Sequence, residues 1–193
     1  METKRINIRF SVLAGLILLA AFSRIVPHMP NFSSLAAIGL FGAAYFSKKW
    51  QAFLIPLAAT LLSDIFLNNM IYKGFSSYYT ILNYGFYWQY GSYILITFSG
   101  RYIFNKVTPV KVLIGALGST VIFYLVSNFG CFLFNPIYPP NLGGMITCYI
   151  SAIPFLNGTL LGNLFYSAVL FGSFALLEQR FPVLRHTYQG NRN

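Results

Sequence analysis

Long uncharged stretches divide the chain. Residues 10–23, 25–47, 50–63, 74–100 and 112–177 hold no Asp, Glu, Lys or Arg, and polar or charged residues cluster in the short gaps between them. Apolar runs near 20 residues match the hydrocarbon thickness of a bilayer. The pattern predicts six spans, near 9–26, 32–47, 50–68, 79–100, 110–134 and 158–178. A short interfacial helix is expected near 143–154, bounded by Gly143-Gly144 and Pro154. Turn chemistry falls between them: Pro27-His28-Met29-Pro30-Asn31, Ser47-Lys48-Lys49, Asn105 to Pro109, and Asn135 to Asn141. The expected architecture is all-α and integral to the membrane, one domain over residues 1–193. Lys4, Arg5 and Arg9 precede an apolar run as in a signal peptide. No small-x-small cleavage site followed by a soluble domain is apparent, so the run is read as the first span.

Composition reinforces this picture. Only 8% of the 193 residues are charged, 56% are hydrophobic and 19% aromatic, whereas soluble domains are near a quarter charged. The net charge of +10 first suggests a polyanionic partner, but its distribution argues otherwise. With the N-terminus inside, Lys4, Arg5, Arg9, Lys48, Lys49, Arg101, Lys106, Lys111, Arg180, Arg185 and Arg192 fall on the inner side, and only Arg24 and Lys73 on the outer. That asymmetry is the positive-inside pattern. It predicts both termini in the cytoplasm of a multi-pass inner-membrane protein, with the lipid bilayer as partner and no nucleic acid.

Some chemistry is excluded. Glu2, Asp64 and Glu178 are the only acidic residues, too few and too scattered for a carboxylate pair or a two-metal site. No phosphate-binding loop of the G-x-x-x-x-G-K-[ST] type is present. Cys131 and Cys148 cannot form a zinc motif; free thiols are the expected state. The expectation is no cofactor, no metal and no covalent chemistry. An integral membrane enzyme would have to use Ser23 or Ser63 with His28, and nothing in the sequence activates either serine.

The intramembrane polar residues gather at one depth. Counted from the basic inner ends at about 1.5 Å per residue, Arg24, Asp64, Tyr87, Asn128 and Asn163 all fall in the outer third of the membrane. An ionised carboxylate there needs a partner, and Arg24 is the cation at its level. The pair either joins the first and third helices or reaches into a pocket. Asn128 and Asn163 either bond between helices or orient a ligand. His28 follows Arg24 by four residues and belongs to the outer loop. Tyr84, Tyr87 and Trp88 share a helix face with Asn83 nearby, as an aromatic wall for a flat organic ligand would. Candidate binding residues are thus Arg24, His28, Asp64, Asn83, Tyr87, Asn128 and Asn163. Small-residue pairs at Gly39/Ala43, Gly115/Ser119 and Gly158/Gly162 predict close helix contacts. Residues 59–66 echo 158–165 as an internal repeat would.

Several segments carry a family resemblance. Ser23-Arg24-x-x-Pro27-His28-x-Pro30-Asn31-Phe32, Leu40 to Phe46, Pro56-Leu57-x-x-x-Leu61-Leu62-Ser63-Asp64, Asn128-Phe129-Gly130 and Ala152 to Gly162 resemble an uncharacterised family of small bacterial membrane proteins. That family is similar to the substrate-binding S components of energy-coupling-factor (ECF) transporters, particularly those for cobalamin. The resemblance covers roughly residues 10–175. It implies a six-helix bundle that captures a vitamin or similar nutrient from outside and passes it inward with a transmembrane subunit and two ATPases. Two departures stand out. The first helix lacks the Ala-x-x-x-Ala docking pattern of S components, and Asn163 stands where the family has Asp. The other expectations are a non-transporting assembly or scaffold subunit and, less favoured, the membrane enzyme above.

Overall fold

The computed structural model describes residues 2–71, 81 and 85–185, with side chains from Ile8 onward. Six α-helices account for most of it: α1 (Glu2–Phe22), α2 (Leu35–Tyr45), α3 (Lys49–Phe66), α4 (Phe86–Ile103), α5 (Pro109–Phe134) and α6 (Leu142–Arg180). A 3-10 turn, Ser23–Ile25, ends α1, a π-helical turn, Leu67–Ile71, extends α3, and a 3-10 turn, Pro182–Leu184, follows α6. Four segments are long and apolar enough to cross a membrane: Ile8–Ile25, Lys49–Ile71, Pro109–Phe134 and Leu142–Arg180.

The centre is α2. It packs against all five other helices, and Leu35 through Ala43 are buried without interruption. A helix buried on every side needs small residues where neighbours approach closely. A Cβ on Gly39 would lie 2.9 Å from Thr97 Oγ1 of α4, and one on Gly100 would lie 2.9 Å from Ala43 Cβ. The Gly39/Ala43 pair therefore seats α2 against α4. On another face, a Cβ on Gly42 would come within 2.6 Å of the Pro56 ring, so this glycine makes the recess that holds that ring of α3.

The expected interfacial helix at 143–154 is not separate. It is the first part of α6, a 39-residue helix that runs through Pro154. Proline removes one backbone hydrogen bond, a loss that long apolar helices tolerate when the rest of the ladder holds. The start of α6 is fixed by Asn141, whose side-chain oxygen accepts from Gly144 N at 2.9 Å; Thr108 caps α5 in the same way ahead of Pro109. The Gly158/Gly162 pair serves a loop rather than a helix. Added Cβ atoms would lie 2.0 Å from Pro30 O and 2.7 Å from Ser33 N, so the 26–34 loop lies directly on α6.

One end of the bundle is closed by charge and aromatic packing. Arg9 Nη1 lies 2.7 Å from Glu178 Oε1, also donates to the Leu184 carbonyl, and covers the Phe174 ring at 5.1 Å. Phe41, Tyr45, Phe171 and Phe174 pack edge-on or tilted beneath it. Arg101 donates to the Phe46 carbonyl at 2.9 Å. These contacts join the N-terminal end of α1 and the C-terminal ends of α2, α4 and α6, where the basic residues collect.

Glycine positions separate packing from propensity. Gly158→Ala should lower the apparent melting temperature of the micelle-solubilised protein, with an overpacking cost of about 1–3 kcal/mol. A Cβ at Gly118 or Gly172 meets nothing within 4 Å, so alanine there should be neutral or stabilising by up to about 1 kcal/mol.

Candidate functional site

The opposite end of the bundle is polar, and it begins where α1 stops. A helix end leaves carbonyls without intrahelical donors. Here Ser34 Oγ donates to Ala20 O at 2.5 Å and Ser63 Oγ to Ala21 O at 2.8 Å. Ser23 Oγ lies 2.7 Å from the same Ala20 O and 2.8 Å from the Tyr166 hydroxyl. Three serines thus close the end of α1 from α2, α3 and the chain itself. The hydroxyls of Ser23 and Ser63 are directed at these groups, while His28 Nδ1 lies 2.9 Å from Met29 O, so no serine–histidine pair is assembled.

Just beyond this closure Arg24 Nη1 meets Asp64 Oδ1 at 2.5 Å. The Tyr90 hydroxyl of α4 donates to the other oxygen, Asp64 Oδ2, at 2.8 Å. Both carboxylate oxygens are therefore held by charge-assisted bonds, and three helix ends are tied at one point. The side chains are only 21% and 15% exposed, so the ion pair is largely withdrawn from water.

Beside the pair lies a cavity of about 170 Å³. Its polar lining comprises Arg24, His28, Asn31, Ser33, Gln89 and Asn163; Leu35, Ala36, Leu67, Tyr93, Phe123 and Thr159 supply the rest. Tyr93 and Phe123 stack in parallel, 5.8 Å between centroids at 9°. Asn163 is 2% exposed and its amide donates to Thr120 Oγ1 at 2.9 Å. Asn31 adopts φ 61°, a left-handed conformation that asparagine tolerates better than most residues, and this turns the 26–34 loop over the cavity. A smaller cavity of about 70 Å³ adjoins it, sharing Asn31, Phe123 and Thr159 and adding Asn128.

The expected site residues separate into groups. Arg24, His28 and Asn163 line the main cavity, and Asn128 the smaller one. Asn128 donates within its own helix to Tyr124 O at 2.8 Å. Asp64 stands behind Arg24 and does not line the cavity. Tyr87 lies elsewhere: it is 43% exposed, packs at a steep angle on Phe134 of α5 at 5.6 Å, and is not among the residues lining the cavity. Trp88, expected beside it, fits over Gly130, where a Cβ would lie 2.1 Å from the indole. Asn83 and Tyr84 lie outside the described residues. Gln89, Tyr93, Asn31 and Ser33 had not been singled out as binding residues. For Asn31 and Ser33 the available signal was the proline-flanked turn next to Arg24; for Tyr93, the aromatic crowding of its span. Both cysteines are free, Cys131 exposed and Cys148 buried. Among the described residues no group of His, Cys, Asp or Glu is placed to hold a metal.

These features define an all-helical protein, compatible with a membrane, that carries a polar cavity at the end opposite the Arg9 and Arg101 cluster. The chain belongs to the Family of unknown function (DUF6580), whose model matches residues 4–184. No curated protein and no solved structure matches it.

The ion pair can be weighed by mutation. Arg24→Gln alone should cost about 3 kcal/mol, because Asp64 would remain withdrawn from water without its cation. Tyr90→Phe should cost about 1–2 kcal/mol. The double change Arg24→Gln with Asp64→Asn should recover much of the single-variant loss, a coupling measurable by a double-mutant cycle in thermal or denaturant unfolding.

Proposed function

We propose that this protein is the substrate-binding membrane subunit of an importer of the energy-coupling-factor type, taking up a small organic nutrient through a pocket open to the outside. The observation that carries the reading is the cavity beside Arg24 and Asn163, set at the bundle end opposite most of the basic residues. Basic residues favour the cytoplasmic side, so the cavity faces outward in an inner-membrane, multi-pass topology with both termini inside. In this reading the chain crosses six times, and α2 completes its crossing through the 26–34 loop. The sequence resemblance to S components supports the same arrangement. It also supplies the missing energy source, a partner module with its own ATPases.

The size of the cavity refines the expected ligand. Sites for drug-sized molecules commonly measure 300–1,000 Å³, whereas a cavity of roughly 150 Å³ accommodates benzene. At about 170 Å³ the space suits a ligand far smaller than a corrin. The reading therefore keeps the nutrient-binding role and departs from cobalamin as its cargo.

Native mass spectrometry of gently purified protein should release one bound small molecule, and ATPase subunits should co-purify when the partner module is present. Asn163→Leu should abolish the bound mass while the protein remains folded by circular dichroism. Loss of cellular uptake of that molecule should follow. A wild-type protein that carries nothing, and shows no transport defect on deletion, would instead favour an assembly subunit whose polar layer only joins helices.

A further inference from the structure

We infer that the ligand is a compact organic monoanion, a carboxylate on an apolar body no larger than one ring, held by Arg24. This rests on the pocket reading above and names its substrate class. The charge around the cavity is one-sided. Arg24 lines it, with His28 and the Tyr93 phenol as the other titratable groups, and among the described residues no carboxylate does. Asp64 lies behind Arg24 with one oxygen on the guanidinium and the other on the Tyr90 hydroxyl. An organic cation would therefore meet a guanidinium and no anionic partner.

The geometry suits a carboxylate in particular. Arg24 contacts Asp64 through Nη1, and a guanidinium carries five N–H donors in a planar fork that matches carboxylate geometry. Asn31, Ser33, Gln89 and Asn163 add neutral hydrogen-bonding groups around the same space. Leu35 and Ala36 belong to the first turn of α2 and also line it, so the positive end of that helix dipole faces the same side. A dianion is disfavoured, because the single arginine already shares its charge with Asp64. The body of the ligand finds apolar surface on Leu35 and Leu67 and on the parallel Tyr93 and Phe123 rings. The volume of about 170 Å³ is of the order that accommodates one ring.

The test uses the full chain in lipid nanodiscs at fixed pH, with matched probes read by ligand-induced thermal stabilisation. Benzoate and cyclohexanecarboxylate are compared with benzamide, cyclohexanecarboxamide and benzylamine. The carboxylates should bind about ten-fold or more tightly than their amides, and benzylamine should not stabilise. The double variant Arg24→Gln/Asp64→Asn should bring acid and amide to near-equal affinity. If that variant does not fold, Arg24→Lys gives the same reading, lowering carboxylate affinity while leaving amide affinity in place. Equal binding of acids and amides to the wild type overturns the anion assignment and leaves the pocket reading intact. Failure of every probe, with native mass spectrometry releasing a cationic or much larger molecule, also overturns this inference alone. Failure of every probe with no released molecule overturns the pocket reading with it.

Discussion

The rest of the molecule depends on one short helix at its centre. α2 has 11 residues, a rise of about 16 Å, while the helices around it run from 18 to 39 residues. Their packing is aligned at the basic end, where Phe41 and Tyr45 meet Phe171 and Phe174. All the shortfall therefore accumulates at the other end. A void there cannot be filled by lipid, because five helices surround it. It is filled instead by the 26–34 loop, which brings Asn31 and Ser33 beside Gln89, Thr159 and Asn163 of the neighbouring helices. The cavity is a consequence of that length mismatch.

Charge placement follows the same logic. Asp64 and Glu178 are the two acidic residues beyond the N-terminal turn, and each is neutralised by an arginine of the first helical segment, Glu178 by Arg9 of α1 and Asp64 by Arg24 of the 3-10 turn that ends it. A carboxylate in an apolar surrounding is costly unless paired. Because Arg9 lies in α1 and Arg24 in the turn that follows it, this helix is held at its two ends. Its exposed side chains between them, such as Leu18 and Leu19, stay available to lipid or to a neighbouring subunit. The serine closure of the Ala20 and Ala21 carbonyls completes the second anchor by satisfying the backbone where α1 breaks.

Much of this was legible in the chain itself. The charge-free runs located the helices, and counting from the basic ends brought Arg24 to Asp64 and Asn163 to the neighbouring cavity wall. Depth counting fails where azimuth matters. Tyr87 and Gln89 are two residues apart, about 200° around a helix, so one faces Phe134 and the other the cavity. Composition could not choose between them, because the aromatic residues of α4 surround the helix. The continuity of α6 was hidden for a different reason. A glycine pair and a proline mark a boundary in soluble proteins, but in this bundle Gly144 makes room for the Pro139 carbonyl and Pro154 lies within the helix.

Structural and binding roles of the Arg24–Asp64 pair are therefore not competing accounts. A lone arginine on a flexible loop would sample many rotamers and lose entropy on meeting a ligand. Asp64 removes that freedom in advance, and Tyr90 holds Asp64 in turn. The guanidinium is fixed in position while part of its donor fork remains for another acceptor. The same contacts that close the end of α1 against α3 and α4 thus orient the one permanent charge that lines the cavity among the described residues. Under the import proposed above, this coupling would have a further consequence. An anion that draws Arg24 toward itself weakens the tie between α1 and α3, so occupancy and helix packing at this end would be linked through a single side chain.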